Sequence, residues 1–301
     1  MDLITGMRAF VATVDAGSFS KAARELGASK ATISKQVSTL EDRLGVRLLQ
    51  RTTRTLNLTD EGRIFAQRAR QILMDLEDAQ EAISPVGAQL SGSIRISAPH
   101  TFGATHLTQA LAAFAARFEH LHVNVEFSDR MTHLIDEGFD VAVRISRLRD
   151  SSLIARKIAP VPLVLCASPA YWQEHGTPEH PHELARELNP HKCVMYAYLS
   201  TPGEWSFQEN GTPFSVKISS ALTTNHDSLI RTAAINGLGI VFGPSFIVRE
   251  ALDQGLLTPA LEKFLPDPLA VHAVYPSSRN LSPKVRAFVD FLVEWFKNTP
   301  L

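Results

Sequence analysis

A chain of 301 residues, 45% of them hydrophobic, is long enough for two or three domains and apolar enough to bury their cores. It carries no run of about 18 apolar residues, and its start, MDLITGMRAF, lacks the basic-then-apolar pattern of a secretory signal, which excludes a helical membrane span and points to the cytoplasm. The net charge of −1 says nothing by itself about a polyanionic partner, and two cysteines fit a reducing compartment.

The segment FSKAARELGASKATISKQVSTLEDRLG, from Phe19 to Gly45, reads as two short amphipathic helices joined by a tight turn. Ser20 is expected to cap the first helix, with Ala22, Ala23 and Leu26 facing inward and Phe19 just outside as a hydrophobic staple. Gly27 ends that helix, and Ser29 caps the next. In the second helix Ile33, Val37, Leu40 and Leu44 recur at spacings that place them on one buried stripe. The opposite face carries Lys30, Thr32, Ser34, Lys35, Gln36 and Ser38, which supply cations for phosphates and hydroxyl or amide groups for base edges in a major groove. Gly45 is the expected stop.

A wing is expected next, with Val46 and Leu48 on one strand, RTTR at the turn and Leu56 and Leu58 on the return. Arg51 and Arg54 flank its tip, where guanidiniums can hold phosphates or reach a minor groove. Between residues 20 and 54 eight Lys and Arg stand against three Asp and Glu, so this basic head sits on a net acidic body. That uneven balance suits a DNA reader attached to a module that does not touch nucleic acid.

A long helix follows, capped by Thr59, with Asp60 and Glu61 in its first turn, running without Pro to Ser84 and Pro85. Phe65, Ala69, Ile72, Leu76, Ala79 and Ile83 alternate at spacings of four and three, a coiled-coil-like seam expected to join two copies of the chain. The stretch SPVGAQLSG, residues 84–92, reads as a linker. Beyond it strand-like and helix-like runs alternate: a strand over Ser93 to Ala98 and a helix to Phe118, then VNVEF, DVAVRI and LVLCA, and later IVFG, LAVHAVY and the closing helix KVRAFVDFLVEWFK. This predicts an α/β architecture with largely parallel sheets, divided into two subdomains because about 210 residues are many for one sheet.

Cys166, in LVLCA, reads as a small core residue, and Cys193 follows a polar stretch; their separation in sequence does not decide whether they can pair. His175, His180, His182, His191 and Cys193 invite a metal reading, but their spacing matches no common zinc pattern, so neither a metal nor a cofactor is expected.

Taken together, FSKAARELGASKATISKQVSTLEDRLGVRLLQRTTRTLNLTDEG, the long helix, the opening GSIRISAP and the later FDVAVRI, DSSLIARKIAP, CASPAYW, HGTPEHPHEL and GLGIVFGP resemble the LysR-type transcriptional regulators over essentially the whole chain. The resemblance implies an N-terminal all-α winged helix-turn-helix that binds double-stranded DNA. It also implies a C-terminal two-subdomain α/β effector domain like type II periplasmic binding proteins, homodimers through the long helix, tetramers built from them, and contact with RNA polymerase. The expected divisions are residues 1–58 for the reader, 59–92 for the linker helix and hinge, and 93–301 for the effector domain. Within the last, subdomain I takes about 93–165 and 270–301, and subdomain II about 166–269.

Residue by residue, the resemblance assigns DNA contact to Ser29, Lys30, Thr32, Ser34, Lys35, Gln36, Arg51 and Arg54. Ala31 stands where many members have Pro, and Lys35 where Arg is frequent; a Lys cannot offer guanine a bidentate fork. For a small-molecule effector it points to His100, Thr101 and Phe102 after the first strand, with Ser128, Arg144, Ser146, Asn225 and His226. A helix start at that loop favours an anion, and Arg144, a guanidinium ending an apolar run, calls for an anionic partner from a ligand or from within the chain. The competing reading, a solute binder or enzyme with a DNA-binding appendage, finds no nucleophile elbow, P-loop, dinucleotide fingerprint or paired carboxylates to support catalysis. Effector identity, operator sequence and the sign of regulation are not written in the chain.

Overall fold

The computed structural model describes residues 2–51, 56–82, 90–130, 134–146, 153–185, 191–198, 201, 203–276, 281–299 and 301. The chain opens with a helix the sequence reading did not anticipate, α1 (Leu3–Ala16), capped by the Asp2 carboxylate and closed at Gly17 with φ 64°. Its Ala9 and Phe10 enter a core completed by α2 (Phe19–Glu25) and α3 (Lys30–Leu44). The cap of α2 is Ser18 rather than Ser20, because the Ser18 side chain accepts from the Lys21 N–H at 3.2 Å; Phe19 is therefore the first helical residue and not a staple outside it. Ser29 caps α3 as expected, accepting from the Thr32 N–H at 3.0 Å, and Gly45 ends it with φ 70°.

Ile33, Val37 and Leu40 are buried, whereas Leu26 and Leu44 are 43% and 36% exposed. The apolar stripe is thus shorter than its periodicity suggests. The wing comprises β1 (Leu49–Arg51) and β2 (Leu56–Leu58), paired antiparallel from Leu49 opposite Leu58. It starts later than expected, and Val46 is exposed outside it.

Helix α4 (Asp60–Ala82) begins under the Thr59 hydroxyl, which accepts from the Gly62 N–H at 2.8 Å and donates to the Arg47 carbonyl at 2.7 Å. The expected dimer seam divides. Phe65 meets Phe10 at 5.7 Å, and Ala69 is fully buried with Met7 and Leu73, so α1 of the same chain takes this part of the stripe. Ile72, Leu76 and the off-seam Ile64 are left: Ile72 and Ile64 are exposed and Leu76 half-buried. The Ala79 side chain and Ile83 lie outside the described residues.

The remaining chain builds two five-stranded sheets. The first, in the order β4-β3-β5-β14-β6, contains β3 (Gly92–Ala98), β4 (Leu121–Phe127), β5 (Val141–Ser146), β6 (Leu153–Val161) and β14 (Leu269–Pro276). It carries α5 (His100–Phe102), a π turn over Gly103–Leu107, α6 (Thr108–Arg117), α7 (Leu134–Glu137) and the closing α11 (Pro283–Asn298). Phe114, Phe288 and Leu292 fill the core between this sheet and α6 and α11.

The second sheet, in the order β11-β8-β12-β7-β13, contains β7 (Leu163–Ala167), β8 (Lys192–Tyr196), β11 (Ser219–Thr224), β12 (Ile240–Pro244) and β13 (Thr258–Ala260). Helices α8 (Pro169–His175), α9 (Asp227–Ile235) and α10 (Arg249–Asp253) flank it, and a hairpin of β9 (Glu204–Glu209) and β10 (Thr212–Lys217) packs Trp205 and Phe207 against Phe242.

The sheets are mixed rather than largely parallel. In the first, β14 runs antiparallel to both neighbours, and in the second β7 does. The reason is connectivity. The chain passes from Val161 through Pro162 straight into Leu163, and returns to the first sheet at Leu269. A strand entering from the other subdomain starts at the shared edge, where its neighbours end, so it must run against them. The C-terminal ends of β3, β4, β8 and β11 come to face one cleft, the usual location of ligands in open α/β sheets.

Candidate functional site

On the head, α3 presents Ser29, Lys30, Thr32 and Lys35 exposed and Ser34 and Gln36 half-buried. Ser29 also has a structural duty, since its hydroxyl caps the helix and meets the Thr32 hydroxyl at 2.8 Å. The Arg51 backbone lies in β1, though its side chain is not among those described, and Arg54 falls outside the described residues.

The residue that sets the wing against this surface is Glu41, which the sequence reading counted only as a negative charge. Its carboxylate, 2% exposed, accepts from the Leu48 N–H at 2.9 Å, the Leu49 N–H at 3.1 Å and Arg47 Nη1 at 3.0 Å. A carboxylate in the last turn opposes the helix dipole by about 0.3–1 kcal/mol, but charge-assisted bonds to backbone donors outweigh that. Its neighbours in sequence, Asp42 and Arg43, give no signal of this role, because the donors it meets lie six to eight residues further on.

The head also touches the effector half through α4. Arg70 pairs with Asp15 at the end of α1, and its side chain lies against Gly138 beyond α7, where a Cβ would stand 3.3 Å from Arg70 Cδ.

At the cleft, the first subdomain contributes His100, Thr101, Ser128, Asp129 and Arg144, and the second contributes Tyr196, Asn225, His226 and Asp227. The His100 and His226 rings approach to 6.0 Å across the gap, and the Thr101 hydroxyl hydrogen-bonds Asp227. The His100 N–H is already taken by Asp129 at 3.0 Å, so the start of α5, a single turn, is not the open anion cradle expected of it. Burial raises the Asp227 carboxyl pKa against the Thr101 hydrogen bond, and burial followed by Asp129 and Asp227 raises that of the Tyr196 phenol.

Arg144 donates to the Ser97 hydroxyl at 3.1 Å and to the Val143 carbonyl at 3.0 Å. Burial lowers its pKa while Asp129 and Glu137 oppose the shift, and among the described residues no carboxylate reaches ion-pair distance of it. Sequence reasoning missed Asp129 and Asp227, which directly follow assigned positions but carry the charge opposite to the one sought.

Two of the assigned effector residues leave this group. Phe102 is 1% exposed, stacked with Phe296 and edge-on to Phe246, so it belongs to the core. Ser146 lines a separate cavity of about 590 Å³, whose wall includes none of the other assigned residues. Ser128 and His226 are tied by their backbones, Ser128 N–H to the Ala98 carbonyl and His226 N–H to the Thr224 hydroxyl, while Asn225 is exposed.

Among the remaining candidates, His180 and His182 stack on each other at 5.0 Å beside Phe214, and His191 lies against the Tyr171 hydroxyl. Among the described residues no cluster of His, Cys, Asp or Glu could hold a metal ion. Cys166 and Cys193 belong to cores on opposite faces of the second sheet, which bars a disulfide between them. No helix among the described residues is long and apolar enough to cross a membrane.

Comparison with known proteins agrees with this architecture in both halves. Residues 4–63 match the bacterial regulatory helix-turn-helix protein, lysR family, and residues 87–297 match the LysR substrate binding domain. An uncharacterised HTH-type transcriptional regulator of Haemophilus influenzae is 35% identical over 285 residues, covering 95% of this chain and 98% of that protein. The full-length structure of AphB, the Vibrio cholerae virulence activator, superposes with a TM-score of 0.61 at 30% identity, over 98% of this chain and 99% of that one. CrgA of Neisseria meningitidis superposes with a TM-score of 0.58 at 32% identity, over 96% and 97% of the two chains. The two family matches cover the helix-turn-helix head and the α/β half, the relatives match over nearly their whole length, and the chain belongs to the LysR family of transcriptional regulators.

Proposed function

We propose that two copies of this chain, joined along the part of α4 that α1 leaves uncovered, read a roughly palindromic DNA site, and that a small molecule held between the effector subdomains changes how they do so. The observation that carries the reading is the α3 surface, where Lys30 and Lys35 stand exposed on a helix capped by Ser29, with the base of the wing held to it by Glu41. Lys and Arg there hold phosphates and set the register, and the flanking hydroxyl and amide groups address base edges. In a dimer the two reading helices would enter major grooves about 34 Å apart, one helical turn.

The exposed Ile64 and Ile72 supply apolar surface for the pairing. Tetramers of such dimers, engaging two sites, would bend the DNA between them and alter contact with RNA polymerase. Arg70, which meets both α1 and the turn after α7, offers a route by which subdomain movement reaches the head. The role is regulatory and non-catalytic, carried out in the cytoplasm, and the regulators it resembles support that reading.

The test is binding to the DNA upstream of its own and neighbouring genes against random duplex at matched salt. A preference of about 1000-fold or more is expected, and equal affinities would refute sequence-specific reading. Sedimentation of the purified chain should give a dimer or larger assembly; a monomer at micromolar concentration would refute the α4 pairing.

A further inference from the structure

The cleft and the DNA-reading head are connected by two ion pairs that meet at one glycine. Asp129, at the cleft, accepts from the His100 N–H at 3.0 Å, and the next residue, Arg130, pairs with Glu137 at the end of α7. Arg95 of β3 donates through Nη1 to the Glu137 and Gly138 carbonyls at 3.0 and 3.2 Å, which fixes the turn that follows. Against that turn lies Arg70 of α4, which pairs with Asp15 in the last turn of α1.

Gly138 lets the two pairs meet. Its φ of 69° is a left-handed conformation that glycine adopts without strain, and a Cβ there would stand 2.9 Å from Arg95 Nη1 and 3.3 Å from Arg70 Cδ. The inner members of the pairs, Glu137 and Arg70, are only 25% and 15% exposed, whereas Arg130 and Asp15 are exposed. Each pair is therefore anchored in protein at its inner end, where solvent screens it less than an ordinary surface pair. Helix α1 in turn packs Ala9 and Phe10 into one core with Ile33 and Val37 of α3, the reading helix. Every step from Asp129 to α3 is thus a covalent neighbour or a direct contact.

We propose that Gly138 is the joint of a relay in which a change at the cleft moves Asp129, shifts the Arg130–Glu137 pair, and through Arg70 and Asp15 repositions the end of α1 against the reading helix. Residues that touch neither DNA nor a ligand then set DNA affinity, and the two pairs act as one unit rather than as separate local contacts. The effect on DNA rests on reading the chain as an effector-responsive regulator; the mechanical link from the cleft to α1 does not.

A double-mutant cycle on the full-length protein tests the relay at its two exposed ends, with Arg130→Gln and Asp15→Asn. Substitutions that act on separate pairs add within about twofold unless the pairs are coupled. Affinity for the preferred duplex should shift about threefold or more in each single variant, and the double variant should shift no further than the larger single. Additive shifts, or no shift in either variant, would overturn the relay while leaving sequence-specific reading intact. Amide hydrogen exchange across α1, measured without DNA, is the second readout. Arg130→Gln should accelerate it about threefold, Arg130→Lys should restore the parent rate, and the acceleration should vanish where Asp15→Asn is already present. Unchanged exchange in Arg130→Gln would overturn the relay whatever the chain does with DNA. Coupled exchange in a chain without sequence preference would uphold the joint and refute the DNA reading alone.

Discussion

Replacing Glu41 with alanine removes the acceptor that holds the base of the wing to α3. Two backbone donors, the Leu48 and Leu49 N–H groups, lose their partner, and both residues are buried. Each stranded donor costs about 1–3 kcal/mol, so the pair amounts to about 2–6 kcal/mol. The Arg47 contact adds little, since that side chain is 69% exposed and such pairs contribute at most about 1 kcal/mol. A small domain has a total stability of about 5–15 kcal/mol, so the loss should open the wing locally even where the helices persist. Amide hydrogen exchange at Leu48 and Leu49 reads this directly: 2 kcal/mol corresponds to an acceleration of about 30-fold. Glu41→Gln is the control. Both N–H groups donate to the same oxygen, Oε1, which glutamine keeps, so a cost nearer 1 kcal/mol is expected, from the lost charge. If Glu41→Ala leaves exchange at both amides within about threefold of the parent, or if Gln is as damaging as Ala, the carboxylate does not hold the wing.

Lys35→Ala should weaken DNA binding across sequences and reduce the slope of log affinity against log salt by about 0.9, as loss of one phosphate contact requires; an unchanged slope would remove Lys35 from the interface. Gly62→Ala should destabilise the head by about 3 kcal/mol, because a Cβ there would stand 2.0 Å from the Leu48 carbonyl oxygen, and a Tm equal to the parent's would contradict this packing. Native-state alkylation should leave Cys166 and Cys193 unmodified, since burial pushes the Cys166 thiol up to about 12 and raises that of Cys193 as well. Asp227→Asn should raise the Tm at neutral pH and leave it unchanged in acid. Burial raises the carboxyl pKa in the folded state, so its stabilising contribution is complete below the ordinary carboxylate range and is lost as pH rises through the raised value. An identical Tm shift at both pH values would refute the argument.

What the amino-acid sequence determined by itself is what neighbouring residues enforce on each other. The Ser29 cap, the stop at Gly45, the Ile33, Val37 and Leu40 stripe and the Thr59 start of α4 depend on hydrogen bonds or side-chain contacts within a few positions, so spacing reveals them. The strand at 163–167 was legible for the same reason, its apolar run LVLCA lying between Pro162 and the Ser168–Pro169 pair. Other features needed partners distant in the chain. Phe65 and Ala69 show the same periodicity whether another copy or α1 covers them, and only packing assigned them to α1. The antiparallel β14 and β7 follow from two crossings between sheets, which no local pattern encodes. Glu41 looks like any surface acid until Leu48 and Leu49 fold back onto it, Asp129 comes near Arg144 only when β4 and β5 join one sheet, and Asp227 meets Thr101 only where two subdomains face each other. Helical and strand periodicities record which face of an element is apolar. Which surface covers that face, and which charges meet across a gap, is decided by contacts between residues far apart in the chain, and those exist only in the folded molecule.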